Sequence, residues 1–282
     1  MAGNLCGPGS VYQGVLHGAS MQIHSIGRRA GLRAAAVATF ALLGLGIPVD
    51  AGAAARETET VERTAPIARD GTLTVENFSG NVRISGTDRA DVSVHAIRRA
   101  TRERLDRIRL DVSSDGKNVR VNANRRDRDI RNDENVVETD LTIEVPKGVS
   151  LRVTTFSSPV EVVDIVGTNH VLKSFSGRLR FDRVAAPIEG ETFSATIAGS
   201  LTGGGDSRLQ LKTFSGDIEV RLAPDTSGAV EFNTFSGGLD SDVPLAVRSK
   251  SGRSLRGHLG TEARDEATLR FKTFSGDVRL VR

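Results

Sequence analysis

The sequence predicts an all-β protein built as a parallel β-helix or solenoid, with coils of roughly 20 residues. A short helix and a hairpin are expected in its N-terminal half. Three observations carry this reading. A Phe-Ser step followed by a tiny residue recurs seven times, the residues flanking it alternate with period two, and 30 glycines accompany only 4% aromatics with no Trp. The chain has 282 residues, 38% hydrophobic and 26% charged, so it can bury a sizeable core and is too apolar for a disordered chain. These numbers also exclude a multi-span membrane protein, a disulfide-stapled mini-domain, a coiled coil and collagen.

The first 55 residues read as an address. Arg28, Arg29 and Arg33 form a positive region, Ala34 to Ile47 is an apolar run of 14, and Ala51-Gly52-Ala53 or Ala53-Ala54-Ala55 offers a small-residue cleavage site. Fourteen apolar residues fall short of the roughly 20 that span a bilayer. Residues 21–55 are therefore expected to be a signal peptide, using the general export route more readily than the twin-arginine one. Residues 1–20, ahead of Met21, read as a mis-called start or a disordered extension. Cleavage would remove the single Cys (Cys6) and leave 35 basic against 34 acidic residues, down from 38 and 35. A near-neutral mature chain lacks the electrostatic footprint of a nucleic-acid binder. A chain without cysteine also tolerates an oxidising compartment.

The repeat occupies residues 146–282. Phe156-Ser157-Ser158, Phe175-Ser176-Gly177, Phe193-Ser194-Ala195, Phe214-Ser215-Gly216, Phe235-Ser236-Gly237 and Phe274-Ser275-Gly276 follow one another at intervals of 19, 18, 21, 21 and 39 residues. The last interval suggests one degenerate copy near Ser249-Lys250-Ser251-Gly252. Leu209, Leu211 and Thr213 precede the step on one side of a strand; Ile218, Val220 and Leu222 follow it. Such alternation is a half-buried strand. A period that returns in register makes each coil stack on the next, and several must stack before any is stable.

The corner residues have structural roles. Gly allows a left-handed backbone or close approach of neighbouring coils. Ser stacked on Ser could form a hydroxyl ladder, and Asn81, Asp217 and Asp277 suit turn chemistry. The Gly-Gly-x-Gly-x-Asp pattern of calcium β-rolls is missing. Two placements of Phe follow. A bend at Thr213 turns Phe214 inward, giving the expected buried or corner-packing ladder. Unbroken alternation instead exposes Phe156, Phe175, Phe193, Phe214, Phe235 and Phe274 as a candidate interaction stripe. A sugar platform would more typically use Trp or Tyr.

Residues 60–145 are less regular. Leu73, Val75, Phe78-Ser79-Gly80, Val82 and Ile84 form one copy of the pattern. Ala100 to Ile108 reads as a short helix with Leu105 and Ile108 inward, and Leu110–Val121 as a hairpin turning over Ser113-Ser114-Asp115-Gly116. Arg125 to Asn135 reads as a solvated loop without EF-hand spacing.

Gly71-Thr-Leu-Thr-Val-Glu-Asn-Phe-Ser-Gly80, Leu141-Thr-Ile-Glu-Val-Pro-Lys-Gly148, Val163-Asp-Ile-Val-Gly167 and the serial Ser-Gly-Asp units resemble the bacterial putative-adhesin domain family of unknown function. The resemblance spans roughly residues 60–282, essentially the chain after the signal. It implies a single-stranded right-handed β-helix and an envelope adhesion role, and it carries no catalytic residues. The persistent Phe before Ser, with Ser158 and Ala195 in place of the corner Gly, departs from the family pattern.

No catalytic constellation is apparent. His95, His170 and His258 are far apart and in no metal spacing. Asp217 and Asp240 fall in different parts of their repeats, so a polysaccharide-active β-helix enzyme is the third reading. The first is an exported cell-envelope binding module without catalytic activity, cofactor or metal, periplasmic or secreted, whose partner is a surface protein or polysaccharide. The second is a self-assembling scaffold, since the chain also resembles bactofilin-like β-helices. Its last strand, Val278 to Val281, offers an open end, although Arg279 and Arg282 discourage stacking there.

Overall fold

The computed structural model describes residues 55–126, 136–185, 187–202, 208–224, 226–260 and 267–282. The expected signal peptide, and residues 127–135 of the expected solvated loop, lie outside them. None of the helices in the described residues is long and apolar enough to cross a membrane.

The chain is all-β and forms two large sheets. It opens with β1 (Glu57–Pro66), β2 (Thr72–Ser79), β3 (Val82–Thr87) and β4 (Asp91–Ala100), then α1 (Arg102–Arg107). The hairpin β5 (Ile108–Ser114) and β6 (Asn118–Arg126) is followed by β7 (Glu138–Pro146). The regular part comprises β8 (Ser150–Ser157), β9 (Val160–Val163), β10 (His170–Ser174), β11 (Leu179–Val184), β12 (Ile188–Thr192), β13 (Ile197–Leu201), β14 (Arg208–Ser215) and β15 (Ile218–Arg221). The last part holds β16 (Gly228–Asn233), β17 (Leu239–Ser241), β18 (Leu245–Ser251), β19 (Ser254–Leu259), β20 (Ala267–Ser275) and β21 (Val278–Val281).

From β8 to β15 the chain alternates between the sheets, placing one strand in each per coil. The partners Leu151, His170, Ile188 and Leu209 stand 19, 18 and 21 residues apart, as the Phe-Ser spacing requires. Alternate residues from both sheets meet in one core, so each strand is buried on one face and solvated on the other. Inner slots compensate in volume. Phe181 pairs with Gly199, where an added Cβ would lie 2.1 Å from its ring.

Both ends of the stack depart from chain order. In the first sheet the order is β1-β4-β7-β3-β9-β11-β13-β15-β21-β17, and in the second β18-β19-β16-β20-β14-β12-β10-β8-β2-β6-β5. The coil β2/β3 therefore lies between β6/β7 and β8/β9, and the final coil β20/β21 lies between β14/β15 and β16/β17. The C-terminal strand is thus interior, flanked by β15 and β17, and not the open end expected from its position in the chain. Nor is Ser249 to Gly252 a degenerate coil. It closes the antiparallel hairpin β18–β19, which covers β16. Antiparallel strands β1, β4 and β5 cover the other end. Parallel stacking leaves unpaired backbone at each end, and antiparallel capping strands are a way of ending it.

The short helix forms where expected, as one turn and a half over Arg102–Arg107, with Leu105 and Ile108 in a small second core with Ala100 and Val137. The hairpin turn is one residue tighter than expected because Asp115 accepts backbone hydrogen bonds from Lys117 (2.9 Å) and Asn118 (2.6 Å).

Candidate functional site

The site is the line where the second sheet turns toward the first. In β10 the inward residues are His170, Leu172 and Ser174, so Val171, Lys173 and then Phe175 point outward. The alternation runs unbroken into the corner, and the buried Phe ladder expected from a bend before Phe does not form. Phe156, Phe175, Phe193, Phe214, Phe235 and Phe274 are 44–52% exposed. Among the described residues, the three Phe outside the motif, Phe181, Phe232 and Phe271, are the buried ones.

The exposed rings form one continuous stack with Phe78. Parallel in-register strands place like residues about 4.8 Å apart, close to the thickness of stacked rings. Centroids along Phe78, Phe156, Phe175, Phe193, Phe214, Phe274 and Phe235 are 4.6–4.9 Å apart, with interplanar angles of 2–12°. Each interior ring has both faces covered by neighbours and shows its edge to solvent. At the end of the stack, the guanidinium of Arg253 sits 4.1 Å over the outer face of Phe235.

A hydroxyl row underlies the rings, one residue earlier than expected. Thr155, Ser174, Thr192, Thr213, Thr234 and Thr273 are all buried, whereas Ser157, Ser176, Ser194, Ser215, Ser236 and Ser275 are exposed. Thr192 Oγ1 donates to the Ala195 carbonyl (2.8 Å) and stands 3.1 Å from Thr213 Oγ1, and Thr273 Oγ1 donates to the Gly276 carbonyl (3.0 Å) and stands 2.9 Å from Thr234 Oγ1. Thr155, Thr192 and Thr273 thus tie their corners to the carbonyl three residues on, while Ser174 Oγ accepts from the Gly177 amide and Thr213 Oγ1 donates to the Ala195 carbonyl of the neighbouring coil. This row was legible in the recurring Thr-Phe-Ser and Ser-Phe-Ser triplets but hidden behind the bulkier Phe. Where Gly is replaced, a partner compensates: buried Ser158 Oγ accepts a hydrogen bond from Asn77 Nδ2 at 3.2 Å.

The acidic residues after the corner serve the backbone. Asp217 Oδ1 accepts from the Asp277 amide (2.9 Å) and Asp277 Oδ1 from the Gly238 amide (2.7 Å), each bridging neighbouring coils. Asp240 faces Arg279 instead, at 3.9 Å. The histidines are not brought together. His95 Nδ1 lies 3.3 Å from Glu62 on the first sheet, His170 is buried inside the second, and His258 is buried in the capping hairpin. Among the described residues no group of three or more His, Cys, Asp or Glu could hold a metal ion.

Beside the ring stack runs a trough of about 1000 Å³. Phe175, Phe193, Phe214, Phe274 and Phe235 line one side, and Lys173, Glu191, Lys212 and Lys272 the other. Lys173 is held by Glu189 (3.3 Å) and Glu191 (3.2 Å), and the hydrogen bond to Glu191 raises its pKa above the ordinary lysine value.

The C-terminal part of the chain is similar to a known domain. Residues 204–281 match the family model of the Toastrack DUF4097 domain. The Toastrack match takes in β14 to β21, including the interleaved coil and the capping hairpin. No curated protein sequence matches the chain. Among solved structures, a "putative cell adhesion protein" from Clostridium sporogenes is similar at 9% identity and a TM-score of 0.47, over 79% of this chain and 99% of its own. A "putative adhesin" from Bacteroides fragilis shares 10% identity over 79% of this chain and 97% of its own, with a TM-score of 0.25. One from Parabacteroides merdae shares 8% over 80% and 97%, with a TM-score of 0.24.

Proposed function

We propose that this protein is an exported, non-catalytic binding or adhesion module of the bacterial cell envelope, a right-handed solenoid that engages its partner along the phenylalanine ridge. One observation carries the reading: seven Phe occupy one slot and six of them are nearly half exposed, while the remaining three described Phe fill the core. Folding alone asks only for inward apolar residues, which every coil already has. A contiguous apolar strip roughly 30 Å long, from stacked rings about 4.8 Å apart, is what a surface kept for a partner looks like. Arg28, Arg29 and Arg33 ahead of the apolar run Ala34 to Ile47 support export.

The other readings draw less support. Stacking end to end would need long open parallel edges, and antiparallel strands cover the second sheet at both ends, leaving the three-residue β17 as the parallel edge of the first sheet among the described residues. Acid–base chemistry would need free paired carboxylates, and Asp217 and Asp277 are bonded to backbone amides.

The test is retention of the purified protein on isolated bacterial envelopes in a sedimentation assay. Phe175→Ser with Phe214→Ser should abolish retention, with thermal melts confirming a folded protein. A second variant leaves the stack intact: Ser215→Cys, beside the ridge, coupled to a bulky maleimide. If both bind envelopes as the parent does, the ridge is not the docking surface.

A further inference from the structure

Resting on the reading of the ridge as a docking surface, we propose that its C-terminal half seats a single long-chain acyl amphiphile with an anionic head. The hydrocarbon would lie along the phenyl edges and the head at Lys212, Lys272 and Arg253.

The first argument is the orientation of the rings. A sugar stacks on an aromatic face, and here neighbouring rings cover the faces at 4.6–4.9 Å while Arg253 covers the last one. What remains is a strip of C–H edges, which a hydrocarbon chain can follow without any directional bond. Its edge polarity also favours negative over positive charge nearby.

The second argument is the uniform section of the trough. Rings line one side and the stems of Lys173, Lys212 and Lys272 the other, over the strand positions whose hydroxyls turn inward. Those hydroxyls are committed to corner carbonyls and to one another. The backbone beneath belongs to strands paired on both sides, so an incoming peptide strand finds no free amides or carbonyls to bond. A linear acyl chain requires neither. Each buried methylene contributes about 0.8 kcal/mol.

The third is charge. Lys173 is held by both Glu189 and Glu191, so the middle of the trough near Phe175 and Phe193 carries no excess of positive charge. Lys212 and Lys272 are direct register partners on adjacent parallel strands, and among the described residues neither forms an ion pair; Glu191, the register partner of Lys212 on its other side, is taken up by Lys173. Like charges side by side on one sheet face oppose folding. Arg253, exposed, with its guanidinium over the Phe235 ring, completes a cationic end. A trough without excess positive charge along its middle and cationic at one end matches an amphiphile with an uncharged tail and an anionic head.

The experiment is titration calorimetry of the full-length protein with hexadecanoate below its micelle threshold. Parallel arms use hexadecanol, polygalacturonate and phosphatidylglycerol vesicles. Hexadecanoate should bind, and Lys212→Gln with Lys272→Gln should weaken it about tenfold or more without lowering the melting temperature. Hexadecanol should bind more weakly by a similar factor. Equal binding by the lysine variant overturns the proposal. So does lysine-dependent binding of polygalacturonate, or of vesicles, without binding of monomeric hexadecanoate. If hexadecanoate does not bind but Phe175→Ser with Phe214→Ser still loses envelope retention, the acyl assignment fails and the docking ridge stands. If retention survives that variant and the maleimide block, the ridge reading itself fails.

Discussion

Phe214 and Phe235, consecutive copies of the motif in the chain, do not touch. The ring of Phe274 lies between them, 4.6 Å from the first and 4.8 Å from the second. The last coil is threaded into the stack after the coil beyond it, so the C-terminal residues hold together two rungs that would otherwise have no parallel neighbour at that position.

Losing residues 267–282 should therefore remove an interior rung. We expect the truncated protein to lose its single cooperative thermal transition, whereas a peripheral last rung would lower the melting temperature only slightly. Phe271→Ala tests the same coil by a point change. Phe271 is 1% exposed and pairs with Leu211 and Phe232, so a cost of about 3–5 kcal/mol in denaturant unfolding is expected.

The hydroxyl row should matter more than the serines that drew attention in the sequence. Thr192→Val removes the 2.8 Å donor to the Ala195 carbonyl, leaving it only the longer contact from Thr213 (3.4 Å), and removes the hydroxyl partner of Thr213, at a cost of about 1–3 kcal/mol. Ser215→Ala, at an exposed position, should be within about 0.5 kcal/mol of the parent. Equal effects of the two in urea melts would show that the row does not tie the corners.

Gly276 is needed for both conformation and space. Its φ is +151°, and an added Cβ would stand 2.2 Å from the Gly216 carbonyl oxygen of the neighbouring coil. Gly276→Ala should be strongly destabilising, since backbone must move. At Gly252 a Cβ meets nothing within 4 Å, so Gly252→Ala should leave the melting temperature nearly unchanged.

His170 fills an inner slot that its partners fill with Leu151 and Ile188. It is fully buried, Nε2 donates to the Gly167 carbonyl at 3.1 Å, and Nδ1 has no partner. Burial pushes its pKa down from 6.5 to about 4. Between those values the unfolded chain binds a proton that the folded one does not, so stability is full above pH 6.5 and falls as pH drops toward 4. The loss attributable to His170 is about 3 kcal/mol at the lower limit. His170→Leu should flatten the stability–pH curve in that window. An unchanged slope would assign the acid sensitivity to other groups.

The ridge and the core were both written in the sequence, but not equally. Period-two alternation and the 19-, 18- and 21-residue returns determined the strands, their parallel register and their stacking, because side-chain period and coil length leave no other way to bury every apolar face. The same alternation, carried one step past Thr213, already pointed Phe214 outward; the expectation of a buried aromatic prevailed over it. Only the tertiary structure decided what those rings face. Their exposure, the covering of their faces by one another and the placing of Lys212 beside Lys272 depend on which coils are neighbours. That order is not the order of the chain: β20 pairs with both β14 and β16. Every coil carries nearly the same edge, so local pattern cannot tell one neighbour from another. The choice rests on the fit of particular inner residues, such as Phe271 between Leu211 and Phe232, and on the hairpin β18–β19 that closes the end of the second sheet.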